Sequence, residues 1–298
     1  MNPSNPNNPT NPTNPMNPKP SNLLSRSLIL ILFATFVLAF FPVWDRLVLA
    51  WSTMDEYSHG FLIIPLSCYI LWRKKRILAE IQGRPSGWGL GLVIFSLLLY
   101  LFAHFAEILT LESFSMVLLL AAVVIFVYGY LMFKKLLFPL CLLLFMIPIP
   151  SQIYASMTVP LQLFVSKTSV SLSALLNLPV YREGNIIYLP EQTLEVARAC
   201  SGLRSLVSLL TLSAIFGYFT LKSNLLRTLL FFSGIPAAIL VNIIRVLLLI
   251  LAFEYLHYDL TTGIAHTVFG MFIFFLALIY IAAMKGVLSF WDRSATQG

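Results

Sequence analysis

The sequence predicts an all-α polytopic membrane protein of about eight transmembrane helices, with a small extracytoplasmic helix and hairpin. Three observations carry that expectation. Hydrophobic residues make up 59% of the 298 and charged residues only 10%, with a mean hydropathy of +0.87. A water-soluble chain of this size has too few charges to cover so much apolar surface. The apolar residues also come in long unbroken runs rather than the alternating, roughly ten-residue segments of an outer-membrane barrel. Finally, Lys and Arg gather at one set of run ends. Together these exclude a soluble enzyme, a soluble nucleic-acid binder and a disordered protein.

Residues 1–22 repeat an Asn-Pro unit with almost no apolar side chains. Each Pro removes a donor and disfavours helix at the residue before it, so a disordered polar arm is expected. It shows no small-residue cleavage site, so the first span is expected to remain. Eight apolar runs follow, near 27–43, 58–72, 88–106, 114–133, 136–150, 201–221, 228–252 and 266–284. A span needs ~20 residues, so 58–72 and 136–150 are short, and Pro148 and Pro150 close the latter. This gives a membrane domain over 23–288, with a long outer loop at 151–199 and a short cytoplasmic tail at 289–298.

Within that loop, residues 160–178 suit a helix lying in the interface and stopped by Pro179. Asn185–Leu189 and Thr193–Ala197, rich in β-branched and aromatic residues and separated by Pro190-Glu191-Gln192, read as a hairpin outside the bilayer.

Charge sets the orientation. With a cytoplasmic N-terminus, the inner segments hold 13 of the 19 basic residues and only Glu80 and Asp292 of the 12 acidic ones. Both termini are then cytoplasmic, in a cytoplasmic (inner) membrane. The net charge of +7 reports topology and the anionic lipid bilayer, with no nucleic-acid partner required.

Polar groups at the edge of the apolar zone are the informative ones. Cys200, in Ala199-Cys200-Ser201-Gly202-Leu203-Arg204-Ser205, sits between the hairpin and the start of the sixth span. A helix N-terminus at the outer surface stabilises an anion and lowers a thiol pKa. Gly202 permits close approach of another chain, and Arg204 lies one turn deeper on the same face. Cys68 and Cys141, inside apolar runs, read as small apolar residues, and no CxxC pair is present.

Arg245 follows Arg227 by enough residues to lie about 26 Å from the inner boundary of a ~30 Å core, near the outer face. Asn242 shares its side of the helix. His266 opens the eighth span at the same face, with Gly270 four residues on. His59, in Tyr57-Ser58-His59-Gly60, is a second candidate base, and Glu195 is a further polar group in the hairpin. His104, Glu107 and Glu112 flank a short outer loop and read as structural. A cysteine, an arginine and a histidine at one membrane surface supply a nucleophile, an oxyanion partner and a proton carrier.

These residues resemble the exosortase/archaeosortase family of membrane transpeptidase-like proteases. The resemblance rests on the Cys200 block, on Asn242-Ile243-Ile244-Arg245, on His266 with Gly270, and on Ser58-His59-Gly60 with Ser67 and Trp72-Arg73. It covers roughly residues 51–284. It implies a catalytic triad of Cys200, Arg245 and His266, with Arg204, Asn242, Ser201, Gly202, His59 and Glu195 as substrate-binding or supporting groups, and no metal or cofactor. The implied substrates are exported proteins with a C-terminal tail: a short motif, one transmembrane helix and a basic end. The family is associated with exopolysaccharide production. The competing expectation is a transporter or polysaccharide-export component, which would carry polar residues near the bilayer midplane and paired half-repeats.

Overall fold

The structure, a computed structural model, describes residues 22–81, 83–190, 192–196, 202–257, 260–261 and 263–294. They fall into two compact units, divided between Asp45 and Arg46. In the first, α1 (Asn22–Ala39) turns Leu30, Ile31, Leu32 and Phe33 outward, and Phe36 and Phe40 pack with ring centroids 5.1 Å apart. α2 (Phe41–Thr53) continues into the second unit.

The second unit is helical apart from one small sheet. Its helices are α3 (Gly60–Glu80), α4 (Gly87–Phe105), α5 (Leu109–Leu143), α6 (Ser151–Leu175), α7 (Gly202–Thr220), α8 (Asn224–Leu256) and α9 (Gly263–Ser294). Exposure is inverted relative to a soluble protein. Trp88 is 87% and Phe105 84% exposed, while Glu112 is fully buried. Such a surface is stable only where the surroundings are themselves apolar.

Among the described residues, four helical stretches are long and apolar enough to cross a bilayer, Gly87–Phe105, Leu109–Met146, Asn224–Leu256 and Gly263–Trp291. They become five if the bent pair Leu30–Ala39 and Phe41–Thr53 is one span. Length and composition therefore give fewer than the eight expected. Arg73, Lys74, Lys75 and Arg76 dilute α3, and the described side chains of α7 form a shorter apolar stretch, Ser205–Thr220.

Leu109–Met146 is not one straight helix. Gly129 sits at φ 80° within it, and the Thr110 hydroxyl donates to the Pro148 carbonyl at 2.7 Å. A straight helix of that length would hold its ends more than 50 Å apart, so the chain reverses at Gly129. Glycine alone takes this conformation without strain, and a Cβ there would collide with the Arg84 carbonyl. The turn thus falls before Lys134-Lys135, which were expected to mark it, and both lysines ride on the returning half.

That half leaves the bundle through Phe145–Pro150, where two prolines prevent helix and leave carbonyls needing donors. Side chains supply them. Trp51 Nε1 donates to the Met146 carbonyl at 2.9 Å and His59 Nε2 to the Phe145 carbonyl at 3.0 Å. The Ile149 amide donates to the Tyr57 hydroxyl at 3.0 Å.

The outer loop differs from expectation in two places. α6 begins at Ser151, well before residue 160, and passes through Pro160. The carbonyl that Pro160 leaves without a helical donor belongs to Ser156, on an exposed turn, where the loss is small. Its buried stripe is small and polar, with Ser166, Ser169 and Ser173 fully buried, while Val159, Phe164 and Leu175 face outward. The expected hairpin is present as β2 (Ile186–Tyr188) and β3 (Thr193–Glu195), and β1 (Tyr181–Glu183) adds a third antiparallel strand through Gly184.

Ile187, Leu194 and Val196 pack from this sheet onto Ile243, Val246, Leu249, Ile250 and Phe253 of α8 and Val165 of α6. A second core joins α7, α8 and α9 through Leu209, Leu230, Ala237, Ala238, Ile273, Ala277 and Ile281. α9 runs to Ser294, and Leu288 is buried in that core.

Glu112 lies in the first turn of α5, where the helix dipole favours a carboxylate. It pairs with Arg46 and with His104 Nδ1, the latter at 3.1 Å. Glu112 is fully buried and Arg46 is 34% exposed, so the two partners are not equivalent. Arg46→Ala strands a buried carboxylate and is expected to cost about 3 kcal/mol. Glu112→Ala leaves an arginine that reaches water and is expected to cost less. Unfolding midpoints of the two variants in one detergent check that order.

His59 gives a pH prediction. Burial holds its imidazole below the ordinary histidine value, and the Phe145 and Glu56 carbonyls only partly oppose this. A histidine with a lowered folded pKa binds fewer protons folded than unfolded. Its stabilising contribution is complete above about pH 6.5 and is lost as pH falls from there through the folded pKa. His59→Gln keeps an N–H for Phe145 and should flatten the fall in thermal stability between about pH 7 and pH 5.

Candidate active site

Arg245 emerges from α8 about 16 Å short of its C-terminal end, by 1.5 Å per residue. The sheet caps the same stretch of helix through Ile243 and Val246. The opposite side of that turn faces α7 and α9, and here the chain forms a cleft of about 500 Å³. Arg245, His266, Ser205, Ser208, Thr267 and Asp55 supply its polar lining, and Leu209, Val241, Ile273 and Phe274 part of its apolar wall.

Two of the expected site residues meet in it. Arg245 Nη2 lies 3.4 Å from His266 Nε2, and His266 Nδ1 lies 3.3 Å from the Leu260 carbonyl. A carbonyl only accepts, so Nδ1 carries the hydrogen in this arrangement and Nε2 presents its lone pair to the guanidinium. The histidine is thereby held in one tautomer, with its acceptor nitrogen directed into the cleft.

Beneath them the polar groups are not all satisfied. Arg245 Nε and both side-chain atoms of Asn242 are buried and have no hydrogen-bond partner among the described residues. Asn242 is 1% exposed. Buried donors and acceptors nearly always find partners; Asn242 does not itself line the cleft, which Val241 and Arg245 on either side of it do.

Cys200 and Ser201 lie outside the described residues, as do the side chains of Gly202, Leu203 and Arg204. The segments on either side are described. Val196 is buried against α8, and Ser205, in the first turn of α7, lines the cleft.

The other candidates are placed elsewhere. His59 holds the Phe145 carbonyl and does not line the cleft. Glu195 lies in β3 opposite Ile186 and outside the cleft lining. Gly270 lines the cleft directly.

Asp55 was missed by sequence reasoning, which singled out the block beginning at Tyr57. A carboxylate beside a loop carries no signal of its own in the sequence. A single turn of 3-10 helix, Asp55–Tyr57, sends Tyr57 into the core and leaves Asp55 on the cleft. Ser208 and Thr267 were missed as well; Ser201, Ser205 and Ser208 recur at the spacing of one helix face.

No curated protein and no solved structure matches the chain significantly. Residues 51–283 match the transmembrane exosortase (Exosortase_EpsH) family. That stretch is most of the chain and contains Asp55, Cys200, Arg245 and His266, so the protein belongs to the transmembrane exosortase family.

Proposed function

We propose that the protein is a membrane-embedded cysteine peptidase or transpeptidase that cleaves C-terminal sorting tails of exported proteins at the outer face of the membrane. The observation that carries this reading is the contact between Arg245 and His266 in a cleft lined also by Ser205, five residues after Cys200. The chain permits two residues to span at most ~7 Å. Cys200 therefore stays within that reach of Gly202, where α7 begins, and Ser205 follows within the first turn. Family membership supports the same class of chemistry.

The reaction follows from the three groups. The Cys200 thiol gives its proton to His266 Nε2, and the thiolate sulfur attacks the scissile carbonyl carbon, forming a C–S bond. Negative charge gathers on the carbonyl oxygen. The Arg245 guanidinium, always protonated and carrying several N–H groups in one plane, turns from Nε2 to that oxygen. His266 then hands its proton to the departing amine as the C–N bond breaks. Water or an acceptor amine releases the acyl group from sulfur. Asn242 and Arg245 Nε provide unmatched hydrogen bonds for the substrate backbone, and Arg204 holds the substrate or the thiolate. Asp55 adds a carboxylate to the lining of the same cleft.

The topology that accompanies this reading has eight crossings: α1 with α2, α3, α4, the two halves of α5, α7, α8 and α9. α6 and the sheet lie at the outer surface. Both termini are cytoplasmic, in a cytoplasmic (inner) membrane. Reporter fusions at Asn22, Asn185 and Gly298 test it, and a cytoplasmic Asn185 overturns the site as well as the topology.

Activity is tested by co-expression with a tailed substrate, following loss of the tail by mass. Wild type should release it and Cys200→Ser should not. Arg245→Lys keeps the charge but loses the planar fork, and is expected to lower turnover by ~100-fold. His266→Ala is expected to lower it by ~100-fold or more. Arg204→Lys should weaken binding more than turnover. Near-normal turnover by Arg245→Lys with a dead Arg204→Lys would exchange the roles of the two arginines.

A further inference from the structure

A second cleft, of about 700 Å³, lies at the basic end of the helices, between α3, the returning half of α5, α7 and α8. Lys74, Lys134, Lys135 and Arg227 line it, and among the described residues no carboxylate does. The remaining wall is largely apolar, including Leu137, Phe138, Leu142, Phe145 and Phe231. Polarity is graded along it. From Lys134 to Phe145 the α5 wall runs about 16 Å, from cations at one end to aromatic rings at the other.

The cations are positioned rather than scattered. Tyr218 stacks on Phe138 with centroids 3.8 Å apart. Lys74 and Arg227 lie over the Tyr218 ring at 5.1 and 5.3 Å. Lys74 Nζ donates to the Lys135 carbonyl at 2.9 Å, and Arg227 Nε to the Leu221 carbonyl at 2.8 Å. Asn224 and Thr228, in the first turns of α8, also line the cleft, so a helix N-terminus adds its partial positive charge. Leu137 and Cys141 are exposed, which leaves the apolar part open sideways, where acyl chains lie.

We propose that this cleft is a binding site for an anionic phospholipid. The phosphate sits among Lys134, Lys135, Lys74 and Arg227, and an acyl chain lies along Leu137, Leu142 and Phe231. Charge complementarity selects an anion, and the apolar continuation selects a lipid over a free phosphate. Basic pockets between helices at the cytoplasmic end of a bundle suit such headgroups. The site is separate from the Arg245–His266 cleft, and its test does not depend on cleavage.

The test uses the full chain in detergent, with phosphatidylglycerol and phosphatidylcholine of identical acyl chains as probes and native mass spectrometry as readout. Wild type should retain phosphatidylglycerol at least fivefold better than phosphatidylcholine. Lys134→Gln and Lys135→Gln should each reduce phosphatidylglycerol retention by about fivefold and leave phosphatidylcholine unchanged. Lys75→Gln, a neighbouring cation outside the cleft lining, should have no effect. Excess inorganic phosphate should not displace the lipid.

A second measurement needs no variant. Added phosphatidylglycerol should slow maleimide labelling of Cys141, which lines the cleft, relative to exposed Cys68. Equal retention of the two lipids, or equal losses from Lys75→Gln and Lys135→Gln, would overturn the proposal. So would displacement by phosphate, or unchanged Cys141 labelling.

Discussion

The helix α8 is longer than a bilayer is thick, and much of the architecture depends on that surplus. Asn224–Leu256 spans about 50 Å at 1.5 Å per residue, against a hydrocarbon core of ~30 Å. An apolar helix that projects beyond the lipid must be covered by protein or leave Leu249, Ile250 and Phe253 in water. The three-stranded sheet provides that cover. Three-residue strands have no independent stability, so the sheet and the projecting helix stabilise each other. Cover on one side leaves the other side of the same turn for Arg245 and the cleft.

Close packing explains the serine face of α6. Ser166, Ser169 and Ser173 are fully buried while Phe164 and Leu175 are not. Small side chains allow close backbone approach, and their hydroxyls find carbonyls. Ser166 donates to the Gly184 carbonyl at 3.1 Å and Ser169 to that of Ile243 at 3.4 Å. These two bonds tie α6 to the sheet and to α8, one residue from Asn242. A helix that looks peripheral in sequence is thus a brace for the site.

What was legible in the sequence follows from these physical contrasts. Class, basic-end asymmetry and the hairpin were readable because hydropathy and β-branching are local signals. The start of α6 was not, because Pro160 reads as a boundary and a serine stripe reads as polar loop. β1 was missed because Tyr181-Arg182-Glu183 carries charges, which an exposed edge strand tolerates. The reversal in α5 was placed at Lys134-Lys135 by charge, whereas backbone geometry required Gly129. Arg245 and His266 were legible because a charge near the apolar zone is costly enough to need a reason. Asp55 was not, since an acid beside an outer loop costs nothing and so carries no signal until the fold turns it onto the cleft.

The buried polar groups also bear on which class of membrane protein this is. A transporter needs unsatisfied polar groups near the midplane, along a path open to each side in turn. The described residues place their unmatched hydrogen-bonding capacity largely elsewhere. Asn242 and Arg245 Nε share one turn of α8, and the Glu112 cluster pins the start of α5. Towards the other end, the cleft that holds Lys74, Lys134, Lys135 and Arg227 is lined, among the described residues, by no acid that could alternate with them. A pathway would require these two regions to communicate, yet the small residues Ala237 and Ala238 and the side chain of Leu230 fill the space between α7, α8 and α9. Polar groups gathered at one end of a tightly packed bundle fit the surface-acting enzyme proposed above better than a transporter.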